Sequence, residues 1–418
     1  MPTATGGSHD QIHYPSSFTG RPFLWMSPAL SGGGYSSEAL AFAQGLAELL
    51  PNFHLRQFAE HADEKFVEGL PHTLEETIDK VHEQPNAARF AGTVVCHAPP
   101  DAWKPSKFSG WDVLAPCPPR GASHVVGRTM YETDSLPKDW VRRCNMMDSV
   151  WVPTAFHLET FKRAGVAAEK LAVVGEPVDG NFFDPSQYSP LSQGPLAPRT
   201  PYRTTQPYRF LAVFKWELRK GWDALLKAYL TEFTHDEPVE LLLKTRPFHS
   251  SSDFEGLIRE FAEQHQLPAT RPRVTVLDSE LPLRDLPKLY KAADAFVLPS
   301  RGEGWGRPHV EAMAMGLPVI ATNWSGPTAY LDNTVGYPLK YTLQPVDASL
   351  NLPGHNWAEP DVDHLRKLMR RLVMRPEEGR AKGKRARELM LERFSPDVLA
   401  MDVLKVLSEV GPKKKDEL

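Results

Sequence analysis

Residues 300–311 read SRGEGWGRPHVE, and the interpretation of the whole chain starts from this stretch. It directly follows the apolar run AFVLP, which is typical of a buried strand, and Pro308 indicates the start of a helix. Ligands of open α/β sheets bind at such carboxyl ends of strands. Gly302, Gly304 and Gly306 let the backbone come close to a ligand, and the first helical amides could donate to a phosphate.

Two glutamates, Glu303 and Glu311, complete this window. Carboxylates accept hydrogen bonds from neighbouring sugar hydroxyls, so the spacing favours a nucleotide sugar with its phosphates at the amides and its hydroxyls at the acids. We assign Gly304, Trp305 and Gly306 to donor binding together with Glu311. The structural alternative is that Glu303 caps a loop and that Glu311 interacts only with the helix dipole.

Basic and glycine-rich turns follow other predicted strands. Lys215 and Lys220, in KWELRKGWD, come after the run RFLAVF and could neutralise a diphosphate leaving group, although paired lysines at a helix start are usually solvated. The turn SGGGYS places Gly33 and Gly34 after the first strand, without the pattern of a dinucleotide fingerprint or a Walker lysine. We predict that it approaches a phosphate of the donor.

Two further stretches of the first half carry polar candidates. His97 ends the strand-like TVVCH, where a side chain can enter a cleft, and a satisfied core histidine is the alternative. The stretch GRTMYETD places Arg128, Glu132 and Asp134 beyond another strand. These three could contact an acceptor or pair with one another.

The rest of the chain alternates short apolar runs with amphipathic stretches, which is typical of α/β domains with parallel sheets. Six prolines in the middle of the chain prevent a helix or a central strand there. The predicted segments are a flexible N-terminus (1–20), a first α/β domain (21–183), a Pro-rich linker (184–207), a second α/β domain (208–394), a terminal helix (395–412) and a charged tail (413–418).

Composition excludes several classes of protein. The 418 residues carry 48 Lys+Arg against 52 Asp+Glu, a formal net charge of -4, so no overall positive field attracts nucleic acid. No apolar run approaches the roughly 18 residues of a membrane span, and we expect a soluble protein. The basic stretch HLRKLMRRLVMR from His364 leaves peripheral membrane contact open, although such helices more often lie on the surface of soluble domains.

The cysteines and the two ends bear on the compartment. Cys96, Cys117 and Cys144 are too scattered for a zinc site and odd in number, and we expect ordinary buried thiols. The last four residues, KDEL, match the retrieval signal of the endoplasmic reticulum lumen, whereas residues 1–20 show no signal peptide. We expect a lumenal protein, and the alternative is a cytoplasmic protein with an accidental match.

Taken together, these residues resemble the retaining glycosyltransferases of family 4 (group 1), and the resemblance runs from about residue 23 to about residue 394. The set consists of Glu303, Glu311, Lys215, Lys220, His97 and the triple glycine. The resemblance implies the GT-B type of fold, in which two Rossmann-like parallel-sheet domains face each other across a cleft. It also implies a donor bound mainly by the second domain, an acceptor bound by the first, a terminal helix that crosses back to the first domain, and no metal or other cofactor.

The resemblance also implies roles for single residues. Glu311 would hold the donor ribose, Glu303 would face the hydroxyls of the donor sugar, and His97 would approach the transferred sugar. Lys215 and Lys220 would stabilise the departing diphosphate. Lys215 departs from the family pattern, because relatives commonly carry Arg there and Lys lacks the bidentate fork.

The predicted function is retaining transfer of a hexose from a UDP- or GDP-sugar to a hydroxyl of a glycan, protein or lipid. The resemblance implies that the donor's own phosphate oxygen accepts the proton, and Glu132 or Asp134 acting as a base is the competing mechanism. Two other functions stay open: a sugar phosphorylase on the same fold, and a non-catalytic carbohydrate-binding protein.

Overall fold

The computed structural model describes residues 21–82, 90–107, 116–192, 206–268 and 270–409. The predictions for the N-terminus (1–20), for linker residues 193–205 and for the KDEL tail lie outside the described residues.

The first domain is built on a six-stranded parallel sheet. Its strands are β1 (Phe23–Ser27), β2 (Phe53–Gln57), β3 (Thr93–His97), β4 (His124–Arg128), β5 (Ser149–Val152) and β6 (Leu171–Val173). Their spatial order is β2-β1-β3-β4-β5-β6. Strands such as β1 are buried on both sides, which explains their continuous apolar sequence. The order reverses between β1 and β3, so a crevice opens at the carboxyl ends of these two strands.

Five helices accompany this sheet: α1 (Gly34–Leu49), α2 (Glu64–Glu68), α3 (His72–Val81), α4 (Lys138–Asn145) and α5 (Ala155–Ala164). Helix α1 begins in the glycine-rich turn. The amide of Gly33 donates to Ser36 Oγ at 3.2 Å, and Ser36 Oγ donates to the carbonyl of Pro28 at 2.5 Å. The first turn of α1 is thereby fixed at the crevice beside β1.

The second domain repeats the design with a different strand order. Its strands are β7 (Tyr208–Trp216), β8 (Val239–Pro247), β9 (Arg273–Leu277), β10 (Ala295–Leu298), β11 (Val319–Thr322) and β12 (Tyr337–Leu339). They lie parallel in the order β12-β11-β10-β7-β8-β9. The helices are α6 (Trp222–Glu232), α7 (Phe254–Gln264), α8 (Leu286–Lys291), α9 (Arg307–Ala314), α10 (Val362–Met374) and α11 (Pro376–Arg393). The reversal between β7 and β10 places the turns at Lys220 and Glu303 side by side.

A two-stranded antiparallel hairpin, β13 (Tyr341–Pro345) and β14 (Asn356–Pro360), extends the second domain and is absent from the sequence prediction. It reaches the first domain. The amide and the side-chain nitrogen of Asn356 donate to the two carboxylate oxygens of Asp134 at 2.7 and 3.0 Å. The backbone of Asp134 donates in return to the carbonyl of Asn356 at 3.1 Å. The hairpin therefore forms a contact between the domains.

The last helix, α12 (Pro396–Glu409), packs on α1 of the first domain. The contact is close because Gly45 has no side chain: a Cβ there would lie 2.3 Å from the carbonyl of Pro396. Just before α12, the amide of Val178 donates to the carbonyl of Phe394 at 2.8 Å. The expected two-domain α/β fold, with a terminal helix that crosses back to the first domain, is confirmed.

The structure bears on the expectations for the three cysteines, for the basic helix near His364 and for a membrane span. Cys96 and Cys117 form a disulfide with a Cα–Cα distance of 5.7 Å, so the expectation of thiols was wrong for these two, while Cys144 is a buried free thiol. On α10, Arg366 and Arg370 form ion pairs with Glu232 and do not simply face solvent. Within the described ranges, no helix is long and apolar enough to cross a bilayer.

Candidate active site

A pocket of about 510 Å³ lies between the two domains, where the carboxyl ends of both sheets meet. Its wall contains ten of the predicted site residues: Gly33, Gly34, Glu132, Lys215, Lys220, Glu303, Gly304, Trp305, Gly306 and Glu311. The wall does not contain His97, Arg128 or Asp134. The structure thus brings together the residues predicted to bind the donor and separates most of those predicted for the acceptor side.

Lys220 and Glu303 form the central ion pair of the pocket. The Lys220 Nζ lies 2.8 Å from Glu303 Oε1 and 2.7 Å from Oε2, although the two residues are 83 positions apart. The turn at Gly221 brings the lysine there. It adopts a φ of 68°, and a Cβ at this position would lie 2.0 Å from the carbonyl of Pro299, so glycine is required on both counts.

The Glu303 carboxylate is buried and ionised. Burial raises the pKa of Glu303, but Lys220 and Arg219 more than offset it and lower the pKa to about 2. Ser300 Oγ also donates to Glu303 Oε1 at 2.6 Å, and the Glu303 amide donates to Ser325 Oγ at 3.0 Å. The alternative of a loop cap describes only this amide contact, because the carboxylate itself lies in the pocket wall.

Arg219 is a pocket residue that the sequence analysis missed. Its guanidinium donates to the carbonyl of Gly302 at 2.7 Å and to Glu217 at 2.8 Å, and lies 3.5 Å from Glu303. It also lies 3.6 Å from Glu132 of the first domain. Its position next to Lys220 in the sequence was the one sign that Arg219 belongs to the pocket. It was not predicted, because neighbouring side chains at a helix start are usually solvated.

Lys215 stands at the end of β7 in a half-buried position. Its Nζ lies 5.3 Å from the ring centre of Phe248. Burial lowers the pKa of Lys215, and the nearby Arg246 lowers it further. Lys244 and Arg246, at the end of the neighbouring strand, also line the pocket. The second domain therefore presents several cations where an anionic donor group would enter.

Glu311 lies in the first turns of α9 and faces the pocket. It accepts a hydrogen bond from the hydroxyl of Tyr290 at 2.8 Å, and burial raises the pKa of Glu311. Gly306, with a φ of 101°, precedes the helix and lines the pocket. Few of the expected helix-start amides remain free there, because Pro308 has no N–H and the amides of His309 and Val310 donate to the carbonyl of Gly306. The side chain of Trp305 is almost fully buried against Tyr330 and Phe394, so it supports the loop from behind.

Gly302 and Gly304 allow the two domains to approach each other. A Cβ at Gly302 would lie 2.0 Å from the carbonyl of Glu132, and one at Gly304 would lie 2.0 Å from the sulfur of Met130. Both obstacles belong to the first domain. The close approach that the sequence assigned to a ligand is, at these two positions, an approach of protein backbone to protein.

His97 lies behind the pocket wall. It is fully buried, its Nδ1 accepts from Trp25 Nε1 at 3.0 Å, and its Nε2 lies 3.0 Å from a carboxylate oxygen of Glu38. Because Nδ1 accepts, the proton resides on Nε2 and is donated to Glu38. Burial lowers the pKa of His97, which fits this neutral form. The surroundings of His97 are those of a core histidine with both ring nitrogens hydrogen-bonded. Its contact with the transferred sugar stays a prediction.

The acceptor candidates are divided. Arg128 is fully buried and donates to Glu38 at 2.8 Å and to the carbonyl of Val174 at 2.5 Å. Asp134 is taken up by the hairpin contact described above. Neither lines this pocket and they do not pair with each other, so their contact with an acceptor stays a prediction. Glu132 does line the pocket, and its side chain is 35% exposed.

Glu176 is a second pocket residue without a predicted role. It is 2% exposed, its Oε2 lies 3.7 Å from Arg307, and its Oε1 has no hydrogen-bond partner within the described part of the chain. Burial raises the pKa of Glu176 well above its usual range, and the neighbouring Glu38 raises it further. The sequence offered no signal, because the contacts come from another helix and another domain.

The next question is whether the described residues could form a metal site. Within the residues that the structure describes, no group of three or more His, Cys, Asp or Glu side chains could hold a metal ion. Metal independence stays a prediction.

The fold and pocket define a GT-B protein, with two facing Rossmann-like domains and a pocket at their switch points. Residues 209–347, in the second domain, match the family model described as Glycosyl transferases group 1. The resemblance found in the sequence is confirmed at this level.

Two solved structures share this fold. HepE of Anabaena, in complex with UDP-glucose, is similar with a TM-score of 0.63 and 16% identity, over 93% of this chain and 100% of that chain. Sucrose-phosphate synthase from Thermosynechococcus elongatus gives a TM-score of 0.61 and 17% identity, over 93% and 99%. At these identities the similarity shows the fold alone.

In sequence, the chain is 29% identical over 186 residues to the D-inositol 3-phosphate glycosyltransferase of Corynebacterium urealyticum, covering 39% of this chain and 42% of that protein. The chain spans 11%, 25% and 42% of the lengths of three curated relatives it matches.

Proposed function

We propose that the protein is a retaining glycosyltransferase that moves a hexose from a UDP- or GDP-sugar to a hydroxyl group of a glycan, protein or lipid. The observation that carries this proposal is the pairing of Lys220 with Glu303 in the wall of a pocket between the two domains. Lys220 would stabilise the leaving group, and Glu303 would bind the transferred sugar next to it.

The donor would lie along the second domain. Glu311 is oriented by the hydroxyl of Tyr290 and is available to the ribose, while Glu303 accepts from hydroxyls of the transferred sugar. UDP-glucose in the structurally similar HepE supports a uridine donor. A GDP-sugar is the alternative donor.

The leaving diphosphate would be stabilised by charge. Lys215 and Lys220 both line the pocket. Preformed donors of this kind act on charge that develops in the transition state. When the diphosphate enters, Lys220 would exchange part of its contact with Glu303 for a phosphate oxygen, which leaves the carboxylate free to accept sugar hydroxyls.

The incoming hydroxyl would give its proton to a phosphate oxygen of the leaving group. Transfer then takes place on one face of the sugar, and the anomeric configuration is retained. Of the two carboxylates that could compete as a base, Asp134 is held by Asn356 outside the pocket, and Glu132 lines it. This phosphate route requires no protein base, and we propose that it requires no metal.

Nucleotide sugars test this function. We expect one UDP- or GDP-sugar to raise the melting temperature, because a ligand that binds only the folded state stabilises it by RT ln(1 + [L]/Kd). The same donor should be hydrolysed slowly, equally well with added Mg²⁺ or with EDTA. Absence of a shift with every nucleotide sugar, together with phosphate-dependent cleavage of oligosaccharides, would replace the proposal with a phosphorylase.

We also propose that the protein works in an oxidising compartment, the lumen of the endoplasmic reticulum. The Cys96–Cys117 disulfide supports this, because such bonds persist in secretory compartments and are rare in the cytosol. The KDEL sequence, which lies outside the described residues, fits the same compartment.

A further inference from the structure

The pocket is polarised, with its cations on one side. All lysines and arginines among the described lining residues belong to the second domain. The lining residues of the first domain, here called the first-domain wall, include three glutamates and no cationic side chain. An anionic donor group is therefore expected to bind at the cations of the second domain. The glutamates of the first-domain wall would repel a second anion.

The three glutamates of this wall differ in what they already bind. Glu38 is fully engaged with His97 and Arg128. Glu132 is 35% exposed, with Arg219 at 3.6 Å as its ion-pair partner. Glu176 is almost fully buried, yet its Oε1 has no partner within the described chain. Two carboxyl groups on the wall thus keep hydrogen-bonding capacity for a ligand.

The nearby cations do not reverse this polarity. Arg219 is shared between Gly302, Glu217 and Glu303. Arg307 donates to the carbonyl of Pro177 at 2.5 Å and to Ser37 Oγ at 3.1 Å. Arg307 also lies 3.7 Å from Glu176. The N–H groups of both arginines are therefore largely engaged in contacts within the protein.

We infer that the first-domain wall binds an uncharged polyhydroxyl acceptor, a sugar or cyclitol without a phosphate, through hydroxyl hydrogen bonds to Glu132 and Glu176. Hydroxyl groups can donate to a carboxylate and can exchange both roles with a carboxylic acid, whereas a phosphate dianion only accepts and repels carboxylates. This inference rests on the proposed function and narrows its acceptor.

The electrostatic surroundings of Glu176 agree with this selection. After burial, the negative charges of Glu38 and Glu303 raise its pKa, against the opposing effect of Arg307 and Arg128. A phosphate placed beside this carboxyl would meet the same two negative groups, while Arg128 and Arg307 already donate to partners within the protein. Exclusion of like charge is a common basis of specificity.

Matched acceptor pairs test the inference. The pairs are glucose and glucose 6-phosphate, mannose and mannose 6-phosphate, and myo-inositol and myo-inositol 3-phosphate. Each compound is added to the protein together with the nucleotide sugar that the protein hydrolyses. Nucleotide release above the acceptor-free rate is measured. We expect an uncharged member to accelerate release, with kcat/KM at least about tenfold above its phosphate ester.

Variants separate acceptor selection from other roles. In Glu132→Gln the preference for the uncharged member should shrink severalfold, whereas the exposed first-domain control Glu159→Gln should keep it. An equal loss of rate for both members would remove Glu132 from acceptor selection and overturn its assignment. A faster phosphate ester, or no acceleration by any uncharged probe, would overturn the inference while donor hydrolysis still upholds the function. Absence of donor binding and hydrolysis would refute both.

Discussion

Lys220 Nζ lies within 2.8 Å of both carboxylate oxygens of Glu303, at the point where the turns after β7 and β10 meet. The pair is largely buried, with side-chain exposures of 13% and 6%. In the proposed reaction the lysine stabilises the leaving diphosphate and the carboxylate binds the transferred sugar. Each residue holds the other in position before the donor arrives.

Removal of either member should therefore strongly reduce turnover. For Lys220→Ala and Glu303→Gln we expect kcat to fall by about 10²–10³, or about 2.7–4 kcal/mol, because each removes a partner of transition-state charge or geometry. Nucleotide release from the donor is the measurement. The exposed Lys227→Ala on α6 serves as the control. Turnover near the wild-type value in both variants would remove this pair from the active site.

Glu311 should contribute to donor binding more than to chemistry. We expect Glu311→Gln to raise the Kd of the nucleotide by about 10- to 150-fold, because a hydrogen bond to a charged acceptor contributes about 1.5–3 kcal/mol. Tyr290→Phe removes only the orienting hydroxyl and should have a smaller effect in the same direction. Calorimetric titration with UDP and GDP measures both. Tyr229→Phe, which loses a buried hydroxyl contact to Arg273 outside the pocket, is the control, and equal effects in all three variants would argue against a ribose contact.

The pH dependence of stability should reveal the buried acid Glu176. Below about pH 3.5 the carboxyl is protonated in both the folded and the unfolded chain. As the pH rises, the unfolded chain releases the proton first, because the folded-state pKa is raised by burial, Glu38 and Glu303 against Arg307 and Arg128. Glu176 therefore destabilises the folded state increasingly, by up to about 1.4 kcal/mol per pH unit between the two pKa values.

We expect Glu176→Gln to lack this loss. The difference in unfolding free energy between variant and wild type should grow in favour of the variant from pH 4.5 to pH 7.5, as measured by urea denaturation. Glu159→Gln should show no such trend. A difference that is independent of pH would mean that Glu176 is ionised in the folded protein.

Thiol counting tests the disulfide. The chain has three cysteines, and we expect one maleimide-reactive thiol, Cys144, in the denatured protein without a reductant, and three after reduction. Mass spectrometry of protein purified from the secretory pathway of a eukaryotic host gives the count. Three reactive thiols before reduction would contradict the disulfide and remove its support for a lumenal protein.

The sequence predicted best where the chemistry is local. The window from Ser300 to Glu311 directly follows a strand and contains its own glycines and helix start. Its place at the sheet edge therefore followed from neighbouring residues alone. The apolar strands of both sheets were equally readable, because a strand buried on both faces leaves a continuous apolar run. The hairpin escaped prediction because β13 is mostly exposed and carries no such run.

Side-chain partners distant in sequence could not be predicted. His97 and Arg128 meet at Glu38, 59 and 90 positions away, and residue spacing gave no sign of these internal contacts. Asp134 finds Asn356 at a separation of 222 positions. Cys96 and Cys117 pair because β3 and a following segment converge. Each outcome depends on the packing of whole elements, which residue spacing does not encode.

The central claim is retaining transfer from a nucleotide sugar, and slow hydrolysis of the donor tests it without knowledge of the acceptor. Proton NMR during incubation with the stabilising UDP- or GDP-sugar resolves which anomer of the free sugar forms first. With an α-linked donor, the account predicts initial formation of the α-anomer together with the nucleoside diphosphate, and loss of both signals in Lys220→Ala. Initial formation of the β-anomer, or no nucleotide release from any donor, would contradict it.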